Sequence, residues 1–195
     1  MAREAERLKD EQLVAAVLEG RPECFGDIVE RYQGRLVNYL YRLLQNVDEA
    51  HDLSQEVFLK VYQALEGFDP RYRFSTWLFR VAQNAAIDHI RKRRLKLVSI
   101  TRPDTEDGSG QEWDFPSQDR GPYGDLRNQE RADAIQQAID ELPWEYQELI
   151  LLRHYGELSY DDIAGLKGMP LGTVKNKLFR GRQMLKEKLA EYLMD

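Results

Sequence analysis

The segment LSYDDIAGLKGMPLGTVKNKLFRGRQMLKEKL, residues 158–189, predicts two helices separated by a tight turn. Ser159 is of a type that caps helix N-termini, and Gly168 suits the turn because glycine tolerates a left-handed backbone. Pro170 fits the entrance of the second helix, where its missing N–H costs no hydrogen bond. A short helix, a glycine turn and a longer basic helix are the pattern of a helix-turn-helix.

The second predicted helix has an apolar face and a basic face. Val174, Leu178 and Leu185 share the apolar face at helical spacing. The other face mixes residue types that read bases with types that contact phosphates. A solvated face of an ordinary helical hairpin is the alternative, but the cap, turn and proline entrance together favour DNA binding. The candidate DNA-binding residues are Thr173, Lys175, Asn176, Lys177, Phe179 and Arg180, and for Phe179 simple packing is an equal alternative.

A second basic and aromatic segment, FDPRYRFSTWLFRVAQNAAIDHIRKRR, spans residues 68–94. Its pattern predicts a helix from about Ser75, a suitable N-cap, to about Arg94. One face is apolar with small residues, and a stripe that recurs every three or four residues shares another side. The apolar face contains Leu78, Val81, Ala82 and Ala85, and the stripe, a candidate DNA-binding face, contains Trp77, Arg80, Asn84, Asp88 and Arg91.

The turn before this helix interleaves arginines with aromatic residues. Aromatic rings can stack on unpaired bases while arginines neutralise phosphates, and stacking contributes about 1–3 kcal/mol per base. Alternatively, Phe68, Phe74 and Trp77 are core aromatics that close the end of the domain. We favour a core position for Phe68 and Phe79 and consider it an equal alternative for Trp77. The candidate base-contacting residues of the turn are Arg71, Tyr72, Arg73 and Phe74.

The helix predicted over residues 48–65 carries an apolar stripe and has a mixed outer face. The stripe contains Leu53, Val57, Val61 and Ala64. On that outer face, the large apolar Leu59 lies among acids and glutamines. A single exposed leucine is normal, but the composition also fits the centre of a protein-binding patch. The candidate patch contains Asp52, Gln55, Glu56 and Leu59.

Charge is segregated along the chain. The 195 residues have a formal net charge of −6, yet residues 71–96 and 167–188 are strongly basic and residues 104–125 are acidic. Local basic patches, rather than net charge, decide where a polyanion binds. Two basic helices with an acidic segment between them predict two contacts with one nucleic acid.

Helical periodicity with no strand signal predicts an all-α protein. Residues 99–125 lack periodicity and are rich in Gly, Pro, Ser and Asp, which is typical of a linker. Trp113 and Phe115 are unusual there, and either dock on a domain or a partner or have no role. The predicted organisation is two small helical domains, residues 1–96 and 127–195, joined by a flexible linker at 97–126, with the helix-turn-helix in the C-terminal domain.

Composition argues against several protein classes. No apolar run approaches the roughly 18–20 residues that span a bilayer, and the charged N-terminus lacks a signal-peptide segment. Cys24 is the single cysteine, so it forms no intramolecular disulfide and fits a small helical filler. His51, His89 and His154 have no ligand-like spacing, and no glycine-rich phosphate loop occurs. We therefore expect a cytoplasmic protein that is not an enzyme and has no metal or cofactor.

Together these segments resemble sigma factors of bacterial RNA polymerase, of the compact extracytoplasmic-function (ECF) group. DLSQEVFLKVYQAL (52–65) resembles the segment that grips the polymerase clamp helices. Residues 68–94 resemble the −10 recognition and melting segment, and residues 158–182 resemble the −35-reading helix-turn-helix. The resemblance spans about residues 10–192, and the order and spacing of the motifs are its most specific feature.

The resemblance implies partners and residue roles. The partners are core RNA polymerase, through its clamp helices and flap, promoter DNA, and an inhibitory anti-sigma factor. Residues 68–74 match the loop that captures a flipped base. The other matched positions are Asp52, Gln55 and Glu56 for polymerase, Asn84 and Asp88 for the upstream edge of the −10 element, and Lys175, Asn176, Phe179 and Arg180 for −35 DNA.

Two other functions compete with this one. A stand-alone helix-turn-helix regulator would bind a palindromic site as a dimer without polymerase. An adaptor or anti-termination protein would bind polymerase without reading DNA. We also expect the free chain to bind promoters weakly, because the acidic linker and the N-terminus oppose DNA and the two basic helices are not held at promoter spacing.

Overall fold

The computed structural model describes residues 9–99 and 122–192. These residues form α-helices and one short 3-10 helix without any strand, which confirms the all-α prediction. No helix within these two ranges is long and apolar enough to cross a membrane. The helices are α1 (Asp10–Leu18), α2 (Cys24–Leu44), α3 (Val47–Gln63), α4 (Phe74–Ser99), α5 (Pro122–Asp140), α6 (Trp144–His154), α7 (Tyr160–Lys167) and α8 (Leu171–Tyr192), with the 3-10 turn at Leu65–Gly67.

Helices extend into both ends of the segment predicted as a linker. α4 continues to Ser99 rather than ending near Arg94, and α5 begins at Pro122. Leu95, Lys96 and the residues after them include strong helix formers and no breaker, so nothing local stops α4 at its basic run. Trp113 and Phe115 lie outside the described residues.

The N-terminal domain is built around the packing of α2 on α3 and α4. Gln45 ends α2 in the left-handed region at φ 55°, and the Asn46 side chain then caps α3 by accepting from the Glu49 N–H at 2.9 Å. Leu53, Val57 and Val61 of the predicted stripe are buried, whereas Ala64 is exposed because α3 has ended at Gln63. Cys24 is half-buried at the start of α2, in keeping with a small filler.

α4 is held by an apolar and aromatic core. Leu78, Ala82 and Ala85 are buried, and Val81 packs against them half-buried, so the predicted apolar face is confirmed. The Phe79 ring meets the Tyr39 ring edge-on, with centroids 5.4 Å apart. Phe68 and Phe79 are both core residues, as favoured from the sequence.

The C-terminal domain packs α8 against α5, α6 and α7. Residues 148–152 of α6 are buried, and Val174 and Leu178 of α8 belong to the same core. The α6 and α8 backbones approach closely at Gly181, where a Cβ would lie 3.3 Å from the Tyr146 Cβ. A side chain at this position would require its neighbours on α6 to move by a few tenths of an ångström.

The two domains pack directly on each other. α4 contacts α7, α2 contacts α6, and buried apolar residues form a continuous core across the boundary. At one close approach, a Cβ on Gly156 would lie 3.3 Å from the Phe79 ring. The sequence did not predict this contact, because periodicity within a segment does not say which distant segment covers its face.

Candidate nucleic-acid interface

The helix-turn-helix has the local geometry that its sequence predicted. The Ser159 hydroxyl accepts from the Asp162 N–H at 3.1 Å, and the Asp162 carboxylate accepts from the Ser159 N–H at 3.1 Å. This reciprocal cap satisfies donors that the first turn of α7 would otherwise leave free. Gly168 ends α7 at φ 62°, a conformation that favours glycine. α8 then begins directly after Pro170.

α8 presents most of its predicted DNA-binding residues to solvent. Phe179 is 60% exposed, which excludes the core-packing alternative for this ring. Lys177 is less exposed because its ammonium group donates to the Glu145 carboxylate of α6, an interaction that raises the pKa of Lys177. The exposed members of the set are Thr173, Lys175, Asn176, Phe179 and Arg180.

The turn at residues 69–73 is organised by Asp69. Its carboxylate accepts from the Arg71 backbone N–H at 3.0 Å and from the Arg71 guanidinium at 2.6 Å. These hydrogen bonds favour the charged form and lower the pKa of Asp69. Tyr72 projects outward and is 62% exposed, so its ring is available to an unpaired base.

Phe74 requires a correction. Its side chain is 0% exposed, and its ring packs on Tyr32, Phe68 and Trp77 at centroid distances of 5.7, 5.6 and 5.8 Å. No face of the ring is open to a base in this structure, so Phe74 supports the turn from beneath. Trp77 is half-buried in the same cluster. An alternation of aromatic and basic residues does not say which ring points inward.

The polar residues in the outer stripe of α4 are exposed, and one of them, Arg80, also contacts the C-terminal domain. Asn84, Asp88 and Arg91 are exposed, and the Asp88 and Arg91 side chains lie 3.7 Å apart. The Arg80 guanidinium donates to the Gly165 carbonyl of α7 at 3.2 Å. In the preceding turn, Arg73 lies 3.4 Å from the Asp162 carboxylate. Two predicted DNA-binding arginines therefore contact the C-terminal domain.

Two further residues of α4 face the C-terminal domain and were not predicted. Thr76 donates to Asp162 at 3.0 Å, and Gln83 donates to Glu148 at 3.0 Å. Together with Arg73 and Arg80 they are spaced three and four residues apart, so they lie on one side of the helix. This spacing was visible in the sequence, but it did not reveal that the partner is the other domain.

The outer face of α3 forms an acidic patch with an apolar centre. Asp52, Gln55 and Glu56 are exposed, and Leu59 is 62% exposed. Lys60 lies 2.7 Å from Glu56, and its hydrogen bond lowers the pKa of that carboxyl. Tyr62, three residues after Leu59 and 44% exposed, extends the apolar area and was not part of the predicted patch.

Family models match both domains. The sigma-70 region 2 family matches residues 28–96, which include α3 and most of α4. The sigma-70 region 4 family matches residues 132–185, which include the helix-turn-helix.

The chain is also similar to individual proteins along most of its length. It is 34% identical over 178 residues to the ECF RNA polymerase sigma factor SigW of Bacillus subtilis (strain 168), covering 91% of this chain and 95% of that protein. It is 34% identical over 191 residues to the RNA polymerase sigma-H factor of Pseudomonas aeruginosa, covering 96% and 97%.

Two solved structures share the fold. One is CnrH in complex with the cytosolic domain of CnrY, with a TM-score of 0.67, 22% identity, and coverage of 93% of this chain and 97% of that chain. The other is the sigma factor RpoE of Bartonella quintana in complex with the anti-sigma factor NepR, with a TM-score of 0.66, 23% identity, and coverage of 85% and 96%. The chain belongs to the ECF sigma factors of bacterial RNA polymerase.

Proposed function

We propose that α8 reads the −35 element of a promoter while α4 and the turn before it recognise and open the −10 element, with the chain docked on core polymerase. The observation that carries this proposal is the pair of exposed faces, one on α8 and one on α4, within the two segments that match sigma-70 regions. Each face has the residue types that its target requires.

At the −35 element, Asn176 and Arg180 are the base-reading residues of α8. Amide and guanidinium groups make bidentate hydrogen bonds to adenine and guanine edges, and each such pair discriminates by about 1–3 kcal/mol. Thr173 and Lys175 lie beside them on the exposed face and suit phosphate contacts, which fix the register of the helix on DNA. Phe179 offers an apolar contact to a thymine methyl group.

At the −10 element, the exposed Tyr72 is the residue of the turn that can stack on a base leaving the duplex. Flipping a base costs a few kcal/mol, and stacking offsets about 1–3 kcal/mol of that cost. Asn84 and Asp88, both exposed on α4, face the upstream edge of the element. Arg91 follows on the same side and neutralises phosphate.

The polymerase-binding surface is the outer face of α3. Its exposed Leu59 and Tyr62 are the apolar centre of the patch, and Asp52, Gln55 and Glu56 surround it with polar groups. This face contacts the clamp helices, and the C-terminal domain contacts the flap. The polymerase performs the chemistry, so the chain acts in the cytoplasm as a non-enzymatic factor without a cofactor.

An anti-sigma factor is a further proposed partner. The similar sigma factor of Bartonella quintana was solved in complex with its anti-sigma factor NepR. We infer that a protein of this kind binds the present chain and covers its polymerase-binding surfaces until a signal releases it.

Run-off transcription with purified core polymerase tests the proposal. Core enzyme alone should give no discrete products from genomic fragments of the source organism, and addition of the chain should give transcripts with defined 5′ ends. A stand-alone regulator would instead bind its DNA without polymerase and add no transcripts. Core binding without defined starts would indicate an adaptor.

A further inference from the structure

We propose that Glu145 of α6 keeps the ammonium group of Lys177 away from DNA, so that this ion pair limits the strength with which α8 binds the −35 element. The inference rests on the proposed function, because it concerns the helix that reads that element. Glu145 is thus a positioning residue that acts through Lys177. Lys177, a candidate DNA-binding residue from the sequence, makes no phosphate contact in the wild-type chain under this proposal.

Lys177 lies at the edge of the exposed face of α8. It comes four residues after Thr173 and three before Arg180, a spacing that puts the three side chains on one side of the helix. Thr173 and Arg180 are exposed, whereas the Lys177 side chain is 27% exposed. A lysine carries its charge on a flexible four-carbon stem. The place of Lys177 on the helix therefore suits a phosphate contact, and its partner directs it elsewhere.

The partner of Lys177 is set by the packing of α6 on α8. The two backbones approach closely at Gly181, where a Cβ would lie 3.3 Å from the Tyr146 Cβ. Glu145 directly precedes Tyr146, and Lys177 lies one turn before Gly181, so this approach brings the two charged side chains together. The Lys177 ammonium group donates to the Glu145 carboxylate, and this hydrogen bond raises the pKa of Lys177.

Glu145 is fixed at the start of α6. It lies in the first turn of that helix, where an acidic side chain interacts favourably with the helix dipole. Its side chain is 53% exposed, so the carboxylate also faces solvent beside α8. The edge of the −35 face therefore has a negative charge that occupies the Lys177 donors and repels a phosphate.

The ion pair contributes little to the stability of the domain. Both side chains keep contact with solvent, and many pairs of this kind contribute nothing measurable. The buried Val174 and Leu178 join α8 to the core independently of the pair. Removal of the Glu145 charge should therefore leave the fold intact, so that its effect on DNA binding can be measured.

Lys177 differs from the other basic candidates on α8. Lys175 and Arg180 are exposed and have no carboxylate partner among the residues that the structure describes, whereas Lys177 is paired with Glu145. Phosphate contacts carry no sequence information, while base contacts do. Loss of one phosphate contact therefore lowers the affinity for all DNA alike and leaves the base preference to residues such as Arg180.

The test measures promoter binding as a function of salt. The probe is a fluorescein-labelled duplex that carries the upstream element found by run-off transcription, titrated with the full chain bound to core polymerase. Each phosphate that a protein neutralises steepens the fall of log K with log salt by about 0.9. The difference in slope between two variants therefore reports the phosphate contacts that are gained or lost.

Glu145→Gln removes the charge and should free Lys177 to bind a phosphate. We expect tighter binding with a slope steeper by about 0.9, so that its advantage over the wild type shrinks roughly three- to four-fold between about 50 and 200 mM salt. Glu187→Gln is the control, since it removes the same charge at an exposed position farther along α8. An unchanged slope in Glu145→Gln, or an equal change in both variants, would overturn the proposal.

A double variant shows whether Lys177 already contacts DNA in the wild type. Glu145→Gln combined with Lys177→Gln has the same net charge as the wild-type pair. If Glu145 keeps Lys177 from DNA, the double variant should lose the gain of Glu145→Gln and return to the wild-type slope. A slope shallower than that of the wild type by about 0.9 would show that Lys177 binds a phosphate despite the pair, and would overturn the proposal.

The pair itself is tested in the free chain. The nitrogen NMR resonance of the Lys177 ammonium group, assigned with Lys177→Gln, should shift in Glu145→Gln and stay in place in Glu187→Gln. An unchanged resonance in Glu145→Gln would show that the pair does not form in solution, and would overturn the proposal.

Base preference separates a phosphate contact from a base contact. Glu145→Gln should tighten binding equally across a set of singly altered promoters, and an altered preference would contradict the proposal. Run-off transcription is a separate readout. Defined transcripts together with unchanged salt slopes would preserve the proposed function and reject only this inference, whereas an absence of defined start sites would reject both.

Discussion

Thr76 of α4 donates a hydrogen bond of 3.0 Å to Asp162 of α7, across the boundary between the two domains. Asp162 also completes the cap of α7 with Ser159. One carboxylate thus contributes both to the helix-turn-helix and to the contact that places it on the −10 helix. Substitutions near this pair can separate the two contributions.

Asp162→Ala should lower the free energy of unfolding by about 1–2 kcal/mol, because it removes the carboxylate half of the reciprocal cap of α7 and the acceptor of Thr76. Asp161→Ala is the control, because it lies in the same turn, is exposed, and should change stability by no more than about 0.5 kcal/mol. Urea unfolding of both variants measures the difference. Equal losses would show that the Asp162 contacts contribute nothing specific.

Arg180→Ala should reduce promoter binding by the polymerase complex by about 1–3 kcal/mol and relax the base preference at one −35 position. Lys186→Ala, at an exposed position farther along α8, is the control and should leave that preference unchanged. Binding measured across a set of singly altered promoters distinguishes them. A uniform loss over all promoters would make Arg180 a phosphate contact instead.

Tyr72→Ala should impair opening of the −10 element by about 1–3 kcal/mol and leave the stability of the chain unchanged, because the ring is exposed. Tyr72→Phe keeps the ring and should keep most of the opening. Fluorescence of a base analogue in the −10 element, with polymerase present, measures the opening of that element. Full opening of the −10 element with Tyr72→Ala would show that Tyr72 does not contact the flipped base.

Phe74→Ala should act differently, because it removes a fully buried ring. It should destabilise the chain by about 3–5 kcal/mol, which thermal unfolding measures. Opening of the −10 element is then compared at a temperature where the variant remains folded. A specific defect in opening with unchanged stability would restore Phe74 as a base contact and contradict its placement in the core.

Leu59→Ala should weaken binding to core polymerase by about 1–2 kcal/mol, because residues at the centre of an interface contribute most of its binding energy. Glu56→Ala should also weaken it, while contacts with DNA stay intact. Glu66→Ala, an exposed acid beyond the patch, is the control. Titration of labelled chain with core enzyme checks all three, and full affinity in Glu56→Ala would show that its assignment is wrong.

The features that were predictable from the sequence are those encoded by neighbouring residues. Ser159 acts through its hydroxyl on the next turn of the chain, and Gly168 and Pro170 act through their own backbone, so these residues were enough to predict the helix-turn-helix. The exposed Leu59 followed in the same way from helical periodicity. One local prediction was wrong. We expected the helix to end in the basic run at 91–94, but α4 continues to Ser99.

The features that were missed depend on segments far apart in the chain. The sequence pattern does not distinguish Tyr72 from Phe74. The ring of Phe74 points inward because it packs on Tyr32, Phe68 and Trp77, and Tyr32 lies far from it in the chain. Gln83 is a polar residue of the kind expected to face solvent on a helix. It is nevertheless buried, and it donates to Glu148 of the other domain. No local rule links these pairs, because each depends on how the domains pack.

The central claim is that this chain directs polymerase to promoters through two separate DNA contacts. Mapping transcript 5′ ends from genomic fragments, with core polymerase and either the wild type or Arg180→Ala, tests it most directly. We expect the wild-type chain to give defined start sites preceded by two shared sequence elements. Arg180→Ala should reduce transcription from these sites, because it weakens recognition of the upstream element. An absence of defined start sites with the wild-type chain would contradict the claim.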